Sequence, residues 1–192
     1  MSEKTYLSCA ETAKLVRAAL KKAFPGVKFS VRSSTYSGGA SIRVGWVDGP
    51  STKAVQAVTC AYAGGGFDGM IDMAYNKDAW LMPDGSAAFA SSPGTTGSMG
   101  VYEPYSHAAP GPGARKVHFG ADSVFTDREH SVEAYTAAVK TVAERWGVDV
   151  PEVKVSGGIH PYVDYVAVPN ANGCDFGTLV HRELCADDAN AR

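Results

Sequence analysis

One order of periodicities, met twice, constrains the fold most. Near the N-terminus a stretch with helical spacing is followed by two alternating segments around a Gly-Gly pair, then by a second helical stretch. Ala13, Val16, Leu20 and Phe24 fall on one helical stripe. Ser8-Cys9-Ala10-Glu11 before it fits a capping box, and Pro25-Gly26 stops it. Val27, Phe29 and Val31 alternate with polar residues, as do Ile42, Val44 and Trp46, with Tyr36-Ser37-Gly38-Gly39 as the turn between. Asp48-Gly49-Pro50 breaks the second strand. Ser51 caps a helix whose stripe is Val55, Val58, Ala61 and Tyr62, closed by Gly64-Gly65-Gly66.

The C-terminal third repeats that order. Ser131 caps a helix with Ala134, Ala138, Val142 and Trp146 on its apolar side, ending at Gly147. Val153-Lys154-Val155 and the segment 162–168 spell two strands around Gly157-Gly158, and 178–186 spells a helix. Between the two runs, Asp84-Gly85 turns a hairpin between a segment ending at Met82 and Ala87-Ala88-Phe89. Residues 91–113 are rich in Ser, Gly and Pro, an irregular loop that Tyr102 and Tyr105 could pack, and 116–125 spells one strand, or two broken at Gly120. The expected class is α+β: two similar αββα units with mainly antiparallel sheet, joined by the Gly/Ser/Pro-rich region. All 192 residues would form one domain, with sub-units 7–66, 67–130 and 131–192.

Composition narrows the function classes. With 45% hydrophobic and 20% charged residues the chain is neither disordered nor fibrous, and no apolar run is long enough for a membrane helix. Met1-Ser2-Glu3-Lys4-Thr5 lacks a secretory pattern, and Cys9, Cys60, Cys174 and Cys185 contain no CxxC, so a reduced, cytoplasmic protein is expected.

The net charge of −2 hides a division. Residues 1–70 carry nine Lys and Arg against four Asp and Glu, a net +5, which leaves −7 for the remainder. Lys14, Arg17 and Lys21 share one helix face. With Arg32 and Arg43 on the following hairpin they form a candidate phosphate-binding surface, with Tyr36 and Trp46 as candidate stacking residues. The alternative is a solvated helix face with Trp46 in the core. The acidic remainder, including Glu129, Glu133, Glu144, Asp149 and Glu152, suits a basic protein groove or plain solubility.

Catalytic signals are sparse. Cys174, His181 and Cys185 offer a weak zinc candidate without a fourth ligand, and Gly173 and Gly177 argue against one helix across them. The segment 94–100 is glycine-rich but lacks the Walker lysine. Among His107, His118, His130, His160 and His181, only His118 and His160 adjoin strands, where Asp122 or Asp127 could orient an imidazole. Ser37 in its glycine turn lacks the GxSxG pattern. The balance is against an enzyme, and no cofactor is expected.

The strings Cys9-Ala10-Glu11-Thr12-Ala13-Lys14-Leu15-Val16-Arg17, Phe24-Pro25-Gly26-Val27-Lys28-Phe29-Ser30-Val31 and Tyr36-Ser37-Gly38-Gly39-Ala40-Ser41-Ile42 resemble large polyvalent protein-associated domain 29. So do Trp46, Asp48-Gly49-Pro50, Phe67-Asp68-Gly69-Met70, Phe119-Gly120-Ala121-Asp122 and Val124-Phe125, over residues 7 to 131. The resemblance implies a phage, plasmid or integrative-element setting, beside effectors delivered with incoming DNA, and carries over no catalytic residues. From it follows the expectation of an anti-defence, anti-CRISPR-like protein that binds and blocks a host immune ribonucleoprotein. The alternatives are a DNA- or RNA-binding accessory protein and an enzyme with a His-centred site. Host defence proteins, and nucleic acid, are the expected partners; a membrane is not.

Overall fold

The computed structural model describes residues 4–90, 109–158 and 160–186. The glycine-rich segment 94–100, Tyr102, Tyr105 and His107 lie outside the described residues. The chain divides into two compact units, Met1–Gly45 with Val55–Asp127, and Trp46–Ala54 with Arg128–Arg192. The architecture is mixed α+β, with small, mainly antiparallel sheets.

The first unit opens with a three-residue strand, β1 (Thr5–Leu7), and helix α1 (Cys9–Ala23). The capping box forms as the sequence spells it. The Ser8 hydroxyl accepts from the Glu11 amide at 3.3 Å, and the Glu11 carboxylate accepts from the Ser8 amide at 2.8 Å. Strands β2 (Ser30–Tyr36) and β3 (Gly39–Val47) pair from Ser30↔Gly45 to Tyr36↔Gly39, around a two-residue turn with Gly38 at φ +89°. Because side chains alternate across a strand, Val31, Ala40, Ile42 and Val44 share the buried face. Helix α1 packs on β2 and buries Ala13, Val16 and Leu20, and α2 (Thr52–Thr59) buries Val55.

After a 3-10 turn at Cys60–Tyr62 come two consecutive hairpins. Strands β4 (Gly65–Asp68) and β5 (Met73–Asn76) pair with each other alone. Strands β6 (Asp78–Leu81) and β7 (Ala87–Ala90) join a four-stranded sheet ordered β1-β8-β6-β7, with β8 (Arg115–Phe119) between β1 and β6. Only the β1–β8 pairing is parallel. Gly120 breaks the expected 116–125 strand, and β9 (Ser123–Glu129) then lies beside β3. A Cβ at Gly120 would sit 2.3 Å from the Leu7 carbonyl, so the chain can pass the end of β1 there only as glycine.

The second unit is built on α3 (Val132–Trp146) and α4 (Phe176–Leu184), which share a core of Val139, Val142, Phe176 and Val180. Ser131 caps α3, and Gly147 ends it at φ +63°. Residues 46–54 are clasped to the start of this unit. The Asp48 amide donates to the Glu129 carbonyl at 2.8 Å, the Asp48 carboxylate accepts from the Ser131 amide at 3.0 Å, and Arg128 donates to the Gly49 carbonyl.

The two αββα runs differ in construction. The first hairpin has strands of seven and nine residues and gains β9 as a third. The second, β10 (Lys154–Ser156) with β11 (His160–Tyr162), has three residues a side and stands as a pair. The expected strand 162–168 does not continue past Tyr162. Val163 and Val166 pack against the α3–α4 core, and positive φ at Asn170, Asn172 and Gly173 turns the chain toward α4.

Candidate interaction face and charge cluster

In the first unit, the polar half of the β2–β3 alternation makes an uncovered sheet face. Arg32 and Arg43 are direct cross-strand partners on it, both exposed. Tyr36, 55% exposed, lies over Gly39, whose Cβ would meet the tyrosine ring at 3.1 Å. Strand β9 adds Phe125, 49% exposed, and Asp127. Arg43 lies over the Phe125 ring at 5.8 Å and pairs with the Asp127 carboxylate at 3.0 Å. Ser30, Ser34, Ser41, Gly39 and Gly45 supply little bulk between them, so the two aromatics and two arginines stand above a flat floor.

The sequence-derived basic surface is redistributed. Arg32, Arg43 and Tyr36 come together on the sheet. Lys14 and Lys21 are exposed on α1, a separate element, and Arg17 donates to the Val31 carbonyl at 2.8 Å. Trp46 is 3% exposed and donates its indole N–H to the Pro50 carbonyl, so it is a core residue rather than a stacking one. The reason is parity: position 46 follows Ile42 and Val44 on the buried side of β3. Phe125 was legible by the same rule, since it shares parity with Asp127 in a strand whose even positions are half-buried.

A second cluster surrounds Asp78 at the head of β6. Its carboxylate is almost wholly buried, with Lys4 at 2.6 Å, Lys116 at 3.5 Å and His118 at 3.6 Å. His118 Nδ1 donates to the Lys77 carbonyl at 2.9 Å, and its ring tilts against Tyr6. Burial works to lower the Lys4 pKa, but the hydrogen bond and charge of Asp78 outweigh it and hold the ammonium above its ordinary value. A buried carboxylate needs such partners, and here they fasten the edge strand β1 to the sheet. Asp122 and Asp127, considered as partners for an imidazole, serve elsewhere. Asp122 accepts from the Ala40 amide at 2.7 Å, and Asp127 pairs with Arg43. His160 is exposed on β11, and Ser37 is exposed in its turn.

In the second unit, His181 of α4 and Cys185 at its C-terminal cap are neighbours, Nε2 to Sγ 3.8 Å, while Cys174 precedes the helix. Among the described residues no three His, Cys, Asp or Glu are placed to hold a metal ion. Burial raises the Cys9 thiol pKa, which suits a packed side chain rather than a nucleophile. No helix among the described residues is long and apolar enough to cross a membrane.

Comparison with known proteins gives one match. The profile of the large polyvalent protein associated domain 29 family covers residues 7–131, from the last residue of β1 through β9, together with the clasp around Asp48. No curated protein and no solved structure matches the chain. With well over half its length matched, the chain belongs to that family.

Proposed function

We propose, from membership of this family and its fit to a mobile-element setting, that the protein blocks a host defence ribonucleoprotein of the CRISPR–Cas kind by binding a protein surface of it. The observation that carries the reading is the uncovered face of β2, β3 and β9. Tyrosine and arginine are enriched at the positions that carry most binding energy in protein interfaces, and phenylalanine is enriched in interfaces generally. Among the described residues, Asp127 neutralises Arg43 on this face and leaves Arg32 as its one arginine outside an ion pair. Strong phosphate binding needs cations that are not already neutralised by carboxylates, so the face favours protein over nucleic acid.

The test is affinity capture from a defence-bearing host, with phage plating in parallel. The wild-type chain is expected to recover a subunit of the immune complex and to raise plating efficiency. A Tyr36→Ala/Phe125→Ala/Arg43→Glu variant is expected to lose both while keeping its fold. Recovery of no immune subunit, with plating unchanged, sinks the reading.

Direct binding of DNA or RNA is the second reading, favoured by the adjacent exposed arginines Arg32 and Arg43 and by Lys14 and Lys21 on α1. It predicts a gel shift whose affinity falls steeply with salt. A shift unmoved by charge reversal at Lys14 and Lys21 removes them from the interface.

A further inference from the structure

The hairpin β4–β5 is the most apolar exposed feature among the described residues of the first unit. Phe67, Met70, Ile71 and Met73 are between 53% and 66% exposed, all within twelve residues. An exposed apolar cluster of this kind marks an interaction site more often than chance. Its root is rigid. Gly64 donates to the Ala121 carbonyl at 2.8 Å, Gly65 to the Asp122 carbonyl at 3.0 Å, and Lys77 to the Gly64 carbonyl at 2.7 Å. Asp122 also exchanges both backbone groups of the Ala40 position with its own amide and carboxylate. The hairpin therefore starts beside the Tyr36 end of the sheet face.

Its charge is one-sided. Residues 65–76 contain Asp68 and Asp72 and no lysine or arginine. Asp68 is buried and accepts from the Met70 amide at 3.0 Å, while Asp72 is exposed in the turn at φ +53°. Beside the turn lies a cleft of about 330 Å³, lined by Phe67, Met70 and Tyr75 together with the buried Asp68 and Lys77, which leaves Asp72 as the exposed charge of the hairpin.

We propose that this hairpin is the insertion element of the protein and that it enters an apolar cleft with a basic rim on a nucleic-acid-binding subunit of the partner. The inference rests on the functional reading above and names the surface that would be blocked. Four large apolar side chains require an apolar counterpart, and an exposed carboxylate at the tip without a neighbouring cation in the hairpin is complemented by lysine or arginine. The same carboxylate disfavours an anionic lipid surface. It also disfavours a second copy of this hairpin, where Asp72 would face its own equivalent across a two-fold axis. The methionines suit the task, because their unbranched thioethers adapt to a surface they did not co-fold with.

The experiment places a photo-reactive benzoylphenylalanine at Met70, and separately at Phe125, in the full chain within an extract of a defence-bearing host. Linked peptides are then mapped by mass spectrometry. The expected result is that the Met70 position links to a lysine- or arginine-rimmed cleft of an immune subunit. Excess oligonucleotide should suppress that link, and adding Asp72→Lys should lower its yield about tenfold. Links from Phe125 to an immune subunit overturn the insertion role, and spare the function, if Met70 gives no link, a link to another copy of this chain, or one to lipid. A Met70 link to an acidic surface, or one unmoved by oligonucleotide and by Asp72→Lys, overturns the basic-cleft assignment. No immune subunit from either position overturns the function and this inference together. Melting temperatures matching wild type show that each labelled chain is folded.

Discussion

The two consecutive hairpins of the first unit, β4–β5 and β6–β7, have strands of four residues each and opposite fates. All four residues of β6 are buried, because β7 and β8 flank it on both edges. Hairpin β4–β5 carries Phe67, Met70, Ile71 and Met73 and leaves them in water, standing as a two-stranded pair outside the larger sheet. Hydrophobicity thus does not decide burial here; membership of the larger packed sheet does, since even its edge strand β7 buries Phe89 and Ala90. In β6 the apolar surface holds the fold together, and in β4–β5 it is available to a partner.

Four variants can break or sharpen that contrast. Leu81→Ala in β6 removes a buried side chain from a close-packed sheet and is expected to cost about 2–5 kcal/mol, read by denaturant unfolding. A value under about 1 kcal/mol would deny β6 its role as the core hairpin. Next comes Gly64→Ala at the root of β4. The added Cβ would stand 2.0 Å from the Phe119 carbonyl oxygen, and such backbone overpacking costs about 1–3 kcal/mol. A neutral result would show that the exposed hairpin is not anchored as described.

Acid titration probes the turn of β6–β7. Hydrogen bonds from the Ser86 hydroxyl, then Lys22 and the Ser86 amide, hold the Asp84 carboxyl below its ordinary value of 3.8. A folded pKa lower than the unfolded one adds stability that is complete above the ordinary value and fades as pH falls through the folded one. Wild type should therefore lose more thermal stability than Asp84→Asn on acidification below pH 3.8. Parallel curves would remove Asp84 from the account. The smallest stability effect is expected for Phe67→Ser/Met73→Ser, within about 0.5 kcal/mol per site, because both side chains are already in water. The same variant should lose partner capture, and a large loss of stability would instead make the hairpin part of the core.

Local signals in the sequence translated faithfully into structure. The Ser8 box, the Ser131 cap, the Gly147 stop and the Asp84-Gly85 turn are all set by neighbouring residues. What stayed hidden depends on distant partners. Strand β1 exists because β8 pairs with it in parallel and Lys4 meets Asp78, a relation with no local trace. Gly64-Gly65-Gly66 reads as a helix stop, yet the structure requires it for close approach to Phe119, Asp122 and the Tyr75 ring. Of the candidate site, Arg32, Arg43 and Tyr36 were legible from alternation. Of the two readings open for Trp46, stacking or core, strand parity with Ile42 and Val44 already favours the core, where it lies.

The clasp around Asp48 sets where this protein can be cut. A fragment ending at Asp127 would strip the Asp48 amide, the Asp48 carboxylate and the Gly49 carbonyl of their partners at Glu129, Ser131 and Arg128. One ending at Ser131 keeps all three. Keeping the clasp therefore carries the cut four residues past the end of the first compact unit, to the residue at which the family match itself stops.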